Sequence, residues 1–206
     1  MSILTKDEDL KVLGIISEFA NIGAGSAATA LSHLLDVDLM NDVTTCEILP
    51  LAKVADWLGG GNQIVAGTYT YLCGELKSGI LVVFPQDSAV SLLGHLTKAD
   101  ISLSKLTELQ KSALREVGNI CLCWYLIAVS KMVDIDMIPA PPDATVDYLG
   151  AVLNVPLATL GAKVDTVIAV HTSFKALDRQ FDGYFLMLPE ASTLNIILER
   201  MGEHCR

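Results

Sequence analysis

Residues 18–40, EFANIGAGSAATALSHLLDVDLM, realign without a gap on residues 116–138, EVGNICLCWYLIAVSKMVDIDMI. The offset is 98 throughout: Glu18 and Asn21 recur as Glu116 and Asn119, Ala30 and Ser32 as Ala128 and Ser130, Asp36 and Asp38 as Asp134 and Asp136. Most other aligned positions exchange one apolar residue for another. Both copies therefore keep a Glu and an Asn three residues apart. Residues i and i+3 share one face of a helix, so the chain holds two carboxylate–amide pairs, each on its own helix. A repeat with a purely structural role needs to keep only the apolar pattern.

The repeat extends outward. Residues 79–85, GILVVFP, match residues 183–189, GYFLMLP, at an offset of 104. Each Pro is followed by a helical pattern, QDSAVSLLGHL (86–96) and EASTLNIILERM (190–201), with Ser88 and Ser192 in the same slot. The growth in offset places one net insertion in the second half, between the long helix and these strands. Each half reads as long helix, strand region, strand, strand, helix. The first long helix is predicted from about Asp7 to Leu35, with Leu10, Leu13, Ile16, Ala20 and Ile22 supplying apolar spacing and Asp7 and Glu8 suiting its N-terminus. The second runs from about Lys105 to Val133, with Leu114, Val117, Ile120 and Tyr125 among its apolar positions. Strands are predicted at 43–49, 63–71, 76–84, 164–172 and 184–188, where β-branched and aromatic residues are dense. Gly59, Gly60 and Gly61 read as a turn, and Ala140-Pro141-Pro142 blocks a helix and starts an extended segment. The fold class that follows is an α/β (α+β) sandwich, internally duplicated about a pseudo-twofold, with long helices packed on an antiparallel sheet. No linker separates the halves, so residues 1–206 read as a single domain with two internal repeats, about 7–97 and 105–201.

Composition narrows the function. Hydrophobic residues make up 51% of 206 and charged residues 18%, which suits a packed core. A formal net charge of −10 argues against nucleic acid, whose phosphates need clustered Lys and Arg, and against an anionic membrane surface. The start, MSILTKDEDL, lacks the basic and apolar regions of a signal peptide. The longest apolar run, ICLCWYLIAV (120–129), is too short to cross a bilayer. Five cysteines at 46, 73, 121, 123 and 205 make no disulfide framework. The expectation is a cytoplasmic protein with no membrane insertion.

Ser112, Glu116 and Asn119 stand at i, i+4 and i+7, one polar stripe down two turns. Their neighbours Ala113, Leu114, Val117 and Ile120 should face the sheet. A Glu can accept from a Lys or Arg of a partner. An Asn offers one acceptor and two donors and does not titrate. It is a poor general base and a good holder of water, as Gln is in GTP hydrolysis. The plain alternative is a solvated helix face, against which the recurrence in both copies weighs. Cys121 and Cys123 are too few for a zinc site and point about 200° apart on a helix, and His33, His95, His171 and His204 show no helpful spacing. The two thiols read as buried small hydrophobes, and no metal site is expected. The Gly turn lacks the Lys-Ser/Thr of a phosphate loop, Ser112 has no His at a motif spacing, and Trp57 and Trp124 read as core or partly buried.

Ser112-x3-Glu116-x2-Asn119, followed after 22 residues by Pro142, resembles the signature of the CheC/CheX/FliY chemotaxis phosphatases. The phrase Asn21-Ile-Gly-Ala-Gly25 with the later Ala-Ala-Thr-Ala is similar to the CheC branch, and the resemblance runs over essentially the whole chain. It implies dephosphorylation of a phosphorylated CheY-type response regulator. Glu116 and Asn119, with Glu18 and Asn21, would be the catalytic set, and Ser112 and Pro142 would support the second site. The Glu would contact a regulator Lys and the Asn would orient the water that attacks the phosphoaspartate. The chain itself would bring no cofactor, because the Mg²⁺ belongs to the regulator. The first copy departs from the pattern: Gly14 stands where the family has Asp or Ser, and Thr44 where it has Pro, so Asn119 ranks above Asn21. The resemblance also implies a CheD-type receptor deamidase as partner, through the segment 147–156 that Asp147 opens, which as sequence is a short apolar helix. The alternative from another class is a non-catalytic adaptor on the same fold, binding a CheD-like deamidase or a response regulator. A buried Asn119 would favour it. With Arg206 as the last residue, a full FliY-like switch subunit with an additional C-terminal domain is not the expectation.

Overall fold

The second long helix starts where Thr107 caps it. The Thr107 hydroxyl accepts from the Gln110 N–H (3.3 Å), and the Gln110 side-chain oxygen accepts from the Thr107 N–H (2.9 Å). This reciprocal pair satisfies two donors that a helix start otherwise leaves open. It sets the start at Glu108 rather than near Lys105, and residues 103–105 form a separate 3₁₀ turn. The computed structural model describes residues 6–74, 76–160, 164–176 and 179–204. Cys205 lies outside these residues, and so do the side chains of Asp7, Glu8, Leu10, Met201 and His204.

The long helices are α1 (Lys6–Leu35) and α4 (Glu108–Val133). Each is closed by an Asp in the left-handed region, Asp36 and Asp134, both at φ 54°. Asp is one of the few side chains that enter this region at modest cost. Just before each closure a Ser holds the next segment. The Ser32 and Ser130 carbonyls accept from the N–H groups of Val37 (3.2 Å) and Ile135 (3.3 Å). The Ser32 hydroxyl also accepts from the Leu39 N–H (2.9 Å), and that of Ser130 donates to the Ile135 carbonyl (2.8 Å). Two of the recurring polar positions are thus engaged in ending helices.

Among the described residues seven strands follow: β1 (Met40–Pro50), β2 (Ile64–Cys73), β3 (Ser78–Pro85), β4 (Ile138–Pro139), β5 (Asp143–Tyr148), β6 (Thr166–Lys175) and β7 (Gln180–Pro189). All pairings are antiparallel, in the order β1-β6-β7-β3-β2, with β5 and β4 following one another along the outer edge of β2. Exchanging the halves of the chain reads this order backwards. At its centre Ile80 pairs with Met187, and moving each by 104 residues gives another pair of the same ladder, Tyr184 and Val83. β1 has an irregularity between Asn41 and Val43, and at the matching place residues 140–142 part β4 from β5. Pro141 and Pro142 carry no N–H for a ladder, which the sheet tolerates at an edge.

Strand ends differ from the predicted ones by a few residues, most at β7, which starts at Gln180 rather than 184. Gln180, Asp182 and Gly183 have low strand propensity and are held by pairing with residues of β6. Two short helices, α2 (Leu51–Trp57) and α5 (Leu149–Leu160), lie between the first strand of each half and its hairpin. The Leu51 N–H donates to the Asp165 carbonyl and the Leu149 N–H to that of Gln63, each at 2.9 Å. α2 was not expected, and α5 begins after Asp147 and Tyr148, which belong to β5. The longer α5 accounts for much of the insertion. α3 (Gln86–Thr97) and α6 (Ala191–His204) complete the set.

The sheet is covered on both faces, making three layers. Along β3, Ile80, Val82 and Phe84 enter the core beneath α1 and α4, while Leu81 and Val83 enter a second core beneath α2 and α5 with Val54 and Val152. Burial on both faces explains why β3 is continuously apolar. On α1 the inward residues are Ile16, Ala20, Ala24, Ala27 and Leu31, whereas Ile22 is 52% exposed. α4 has the length and composition to cross a membrane, yet half of its most apolar stretch is buried within the protein.

Candidate functional site

α1 and α4 pack together and run antiparallel. Ile16 and Phe19, early in α1, share an apolar cavity with Val129 and Met132, late in α4. Gly23 faces Tyr125 so closely that a Cβ would stand 3.0 Å from the ring. Tyr125 in turn is buried, stacks on Phe185 at 4.8 Å and shares a hydrogen bond with the Thr172 hydroxyl. Burial pushes its phenol well above the ordinary range. α4 settles onto the sheet at Gly118, which is buried against Thr68 of β2. One helix pair on one face of the sheet therefore carries all four members of the two Glu/Asn pairs.

Glu18, Asn21, Ser112 and Glu116 are exposed, and Asn119 is half-buried. Leu114 and Val117 are buried beneath them, as the spacing requires, with Ala113 and Ile120 half-buried. Among the described residues, no hydrogen bond or ion pair involves Glu18, Asn21, Ser112 or Glu116. Asn119 has one polar contact: the Cys123 thiol donates to its Oδ1 at 3.6 Å. The recurring polar residues thus divide in two. Ser32, Ser130, Asp36 and Asp134 serve the helix ends, and the Glu/Asn pairs offer their groups to solvent.

The stripe has an apolar margin, which includes the Ile22 that the sequence places in the apolar spacing of α1. Ile22, Trp124 and Ile127 are 52%, 36% and 42% exposed. Ile22 is i+4 from Glu18, so a solvent-facing Glu18 brings Ile22 to the surface as well. The same rule puts Cys123 and Ile127 on the Asn119 face. Cys121 is buried, as expected of a small hydrophobe, and its thiol is raised to about 12 by burial. Cys123 is only half-buried, and its thiol is raised by burial first and then by the charge of Glu116. Among the described residues no three His, Cys, Asp or Glu side chains converge on a point that could hold a metal ion.

The supporting positions lie on other elements. Pro142 is half-buried in the break between β4 and β5. In the first copy Gly14 is exposed with open space around it, and the Thr44 hydroxyl donates to Asn41 Oδ1 (3.0 Å) within β1. Asp147 is exposed at the end of β5 and accepts the Tyr148 N–H at 2.7 Å. Beyond it, Leu149, Val152, Leu153 and Pro156 turn inward, and only the outer side of α5 is open. On that side of the sheet His171 pairs with Asp182 at 2.9 Å and stacks on Tyr184, a cluster far in sequence from either Glu/Asn pair.

The model of the CheC-like family matches residues 12–39, the segment that holds Glu18 and Asn21. The CheY-P phosphatase CheC of Bacillus subtilis is 27% identical over 195 residues, covering 92% of this chain and 93% of that protein. In fold, the chain is similar to FliY of Thermotoga maritima, with a TM-score of 0.74 at 18% identity over 98% and 99% of the two chains. It is also similar to the middle domain of FliM from H. pylori, with a TM-score of 0.66 at 10% identity over 96% and 100%.

Proposed function

We propose that the chain is a phosphatase of the CheC/CheX/FliY family, acting on phosphorylated CheY-type response regulators through its Glu/Asn pairs; its similarity to the CheC-like family and to a CheY-P phosphatase CheC supports this. One observation carries the reading. Among the described residues, the same repeat that engages its Ser and Asp residues in helix ends leaves Glu18, Asn21 and Glu116 without a hydrogen-bond partner, and Asn119 with the Cys123 thiol alone.

In this reading Glu116 reaches a Lys of the regulator and fixes the approach of α4. Asn119 then holds a water in line with the phosphoaspartate. The water oxygen bonds to phosphorus as the acyl phosphate P–O bond breaks, giving inorganic phosphate and the free carboxylate. Placement and charge stabilisation suffice for such a transfer. The regulator brings the Mg²⁺, and this chain adds no cofactor. Glu18 and Asn21 repeat the arrangement with less support, lacking counterparts of Ser112 and Pro142. We place the reaction in the cytoplasm and assign the whole chain to one domain. The exposed Ile22, Trp124 and Ile127 give the docking regulator apolar surface beside the polar groups.

The test is the lifetime of the phosphoaspartate on a purified CheY-type regulator with and without the chain. A shortened lifetime supports the reading, and an unchanged one contradicts it. A second reading is a non-catalytic adaptor, favoured by the FliM-like fold. Its contact with a CheD-like deamidase would use Asp147 and the outer side of α5. Binding without any change in phosphoaspartate lifetime would put it in front.

A further inference from the structure

Asn119 and Asn21 occupy matching positions, but only Asn119 has a side chain one turn later that touches it. The Cys123 thiol donates to Asn119 Oδ1 at 3.6 Å, the ordinary i, i+4 approach on a helix. The position 98 residues before Cys123 is Gly25, which has no side chain, and a Cβ built there would meet nothing within 4 Å.

We propose that Cys123 is a positioning residue for the second site, orienting the Asn119 amide so that its N–H₂ group faces the attacking water. This rests on the reading of that Glu/Asn pair as the phosphatase site. An Asn amide has two nearly isosteric ends, and a free one turns between them. A protonated thiol is a donor and selects the carbonyl end. Burial and the neighbouring Glu116 charge both hold the Cys123 thiol in its protonated form. With Oδ1 so engaged, Nδ2 is the end directed away from Cys123. A thiol is a weak donor, so the effect is one of orientation and not of stability. The same comparison gives a local reason for ranking Asn119 above Asn21, beyond the missing Ser112 and Pro142 equivalents.

The experiment measures phosphate release against regulator concentration for the unaltered chain, Cys123→Ala and Cys123→Ser. Cys123→Ala should lower kcat about threefold or more, the scale of one lost hydrogen bond, with KM unchanged. Cys123→Ser keeps a donor and should restore kcat to nearly the original value. In parallel, the Asn119 side-chain N–H₂ resonances, identified by their absence in Asn119→Ala, should shift in Cys123→Ala and much less in Cys123→Ser. That readout needs no activity. An active chain whose Cys123→Ala variant keeps full kcat, or whose Ser variant is as impaired as Ala, overturns the inference alone. An unaltered chain that releases no phosphate overturns the phosphatase reading, while the resonances still report whether Cys123 orients the amide.

Discussion

Gly118 of α4 lies directly over Thr68 of β2: a Cβ on Gly118 would stand 2.7 Å from Thr68 Cγ2 and closer still to its Cβ and Oγ1. The Thr68 hydroxyl donates to the Leu114 carbonyl at 3.4 Å, one turn earlier on the same helix. The depth of α4 on the sheet is therefore set between Glu116 and Asn119. Ala20 holds the matching place on α1 and already carries a methyl group.

Gly118→Ala should accordingly destabilise the protein by about 1–3 kcal/mol, the scale of overpacking a well-filled contact. At an unconstrained helix site the same change stabilises by about 1 kcal/mol. The sign of the shift in urea midpoint decides between the two, and a gain would contradict the close contact.

Asn119→Ala should remove most of the phosphate release, by about 100-fold at the second site, as for loss of one placed catalytic group. Its far-ultraviolet circular dichroism and urea midpoint should stay near those of the unaltered chain, because only the Cys123 contact is lost. Asn21→Ala should cost less activity. The reverse order of the two variants would show that the first site, despite Gly14 and Thr44, is the principal one.

Thiol titration supplies a third expectation. Burial, aided by the Glu47 charge, raises the Cys46 thiol to about 12, and burial raises that of Cys121 to about 12. Cys73 is exposed. At pH 8 a disulfide reagent should modify Cys73 quickly and reach Cys121 only on unfolding. A raised thiol contributes stability in full below its unfolded value, 9.0, and loses it as the pH climbs toward the folded value near 12. The urea midpoint should therefore fall above pH 9, and fall less steeply in Cys121→Ala. A midpoint equally steep in both would remove Cys121 from the account.

The long helices, the five main strands and both Glu/Asn pairs were legible in the sequence because each has a periodicity or a recurrence to read. β3 stood out since both its faces are buried, so Ile80 to Phe84 form an unbroken apolar run. α2 did not stand out: seven residues from Leu51 to Trp57 are too few for a helical period to show. The start of β7 was hidden because Gln180, Asp182 and Gly183 are strand by pairing and not by propensity. Cys123 was hidden for a chemical reason. A cysteine reads as a small hydrophobe, and its thiol is seen to face Asn119 only in the folded helix.

The double variant Asn21→Ala, Asn119→Ala decides whether the paired amides perform the hydrolysis. Phosphate release from a phosphorylated CheY-type regulator is measured alongside binding of that regulator. Release is expected at the regulator's own spontaneous rate with binding retained, since both Glu side chains remain. Release at the rate of the unaltered chain would contradict that role of the amides.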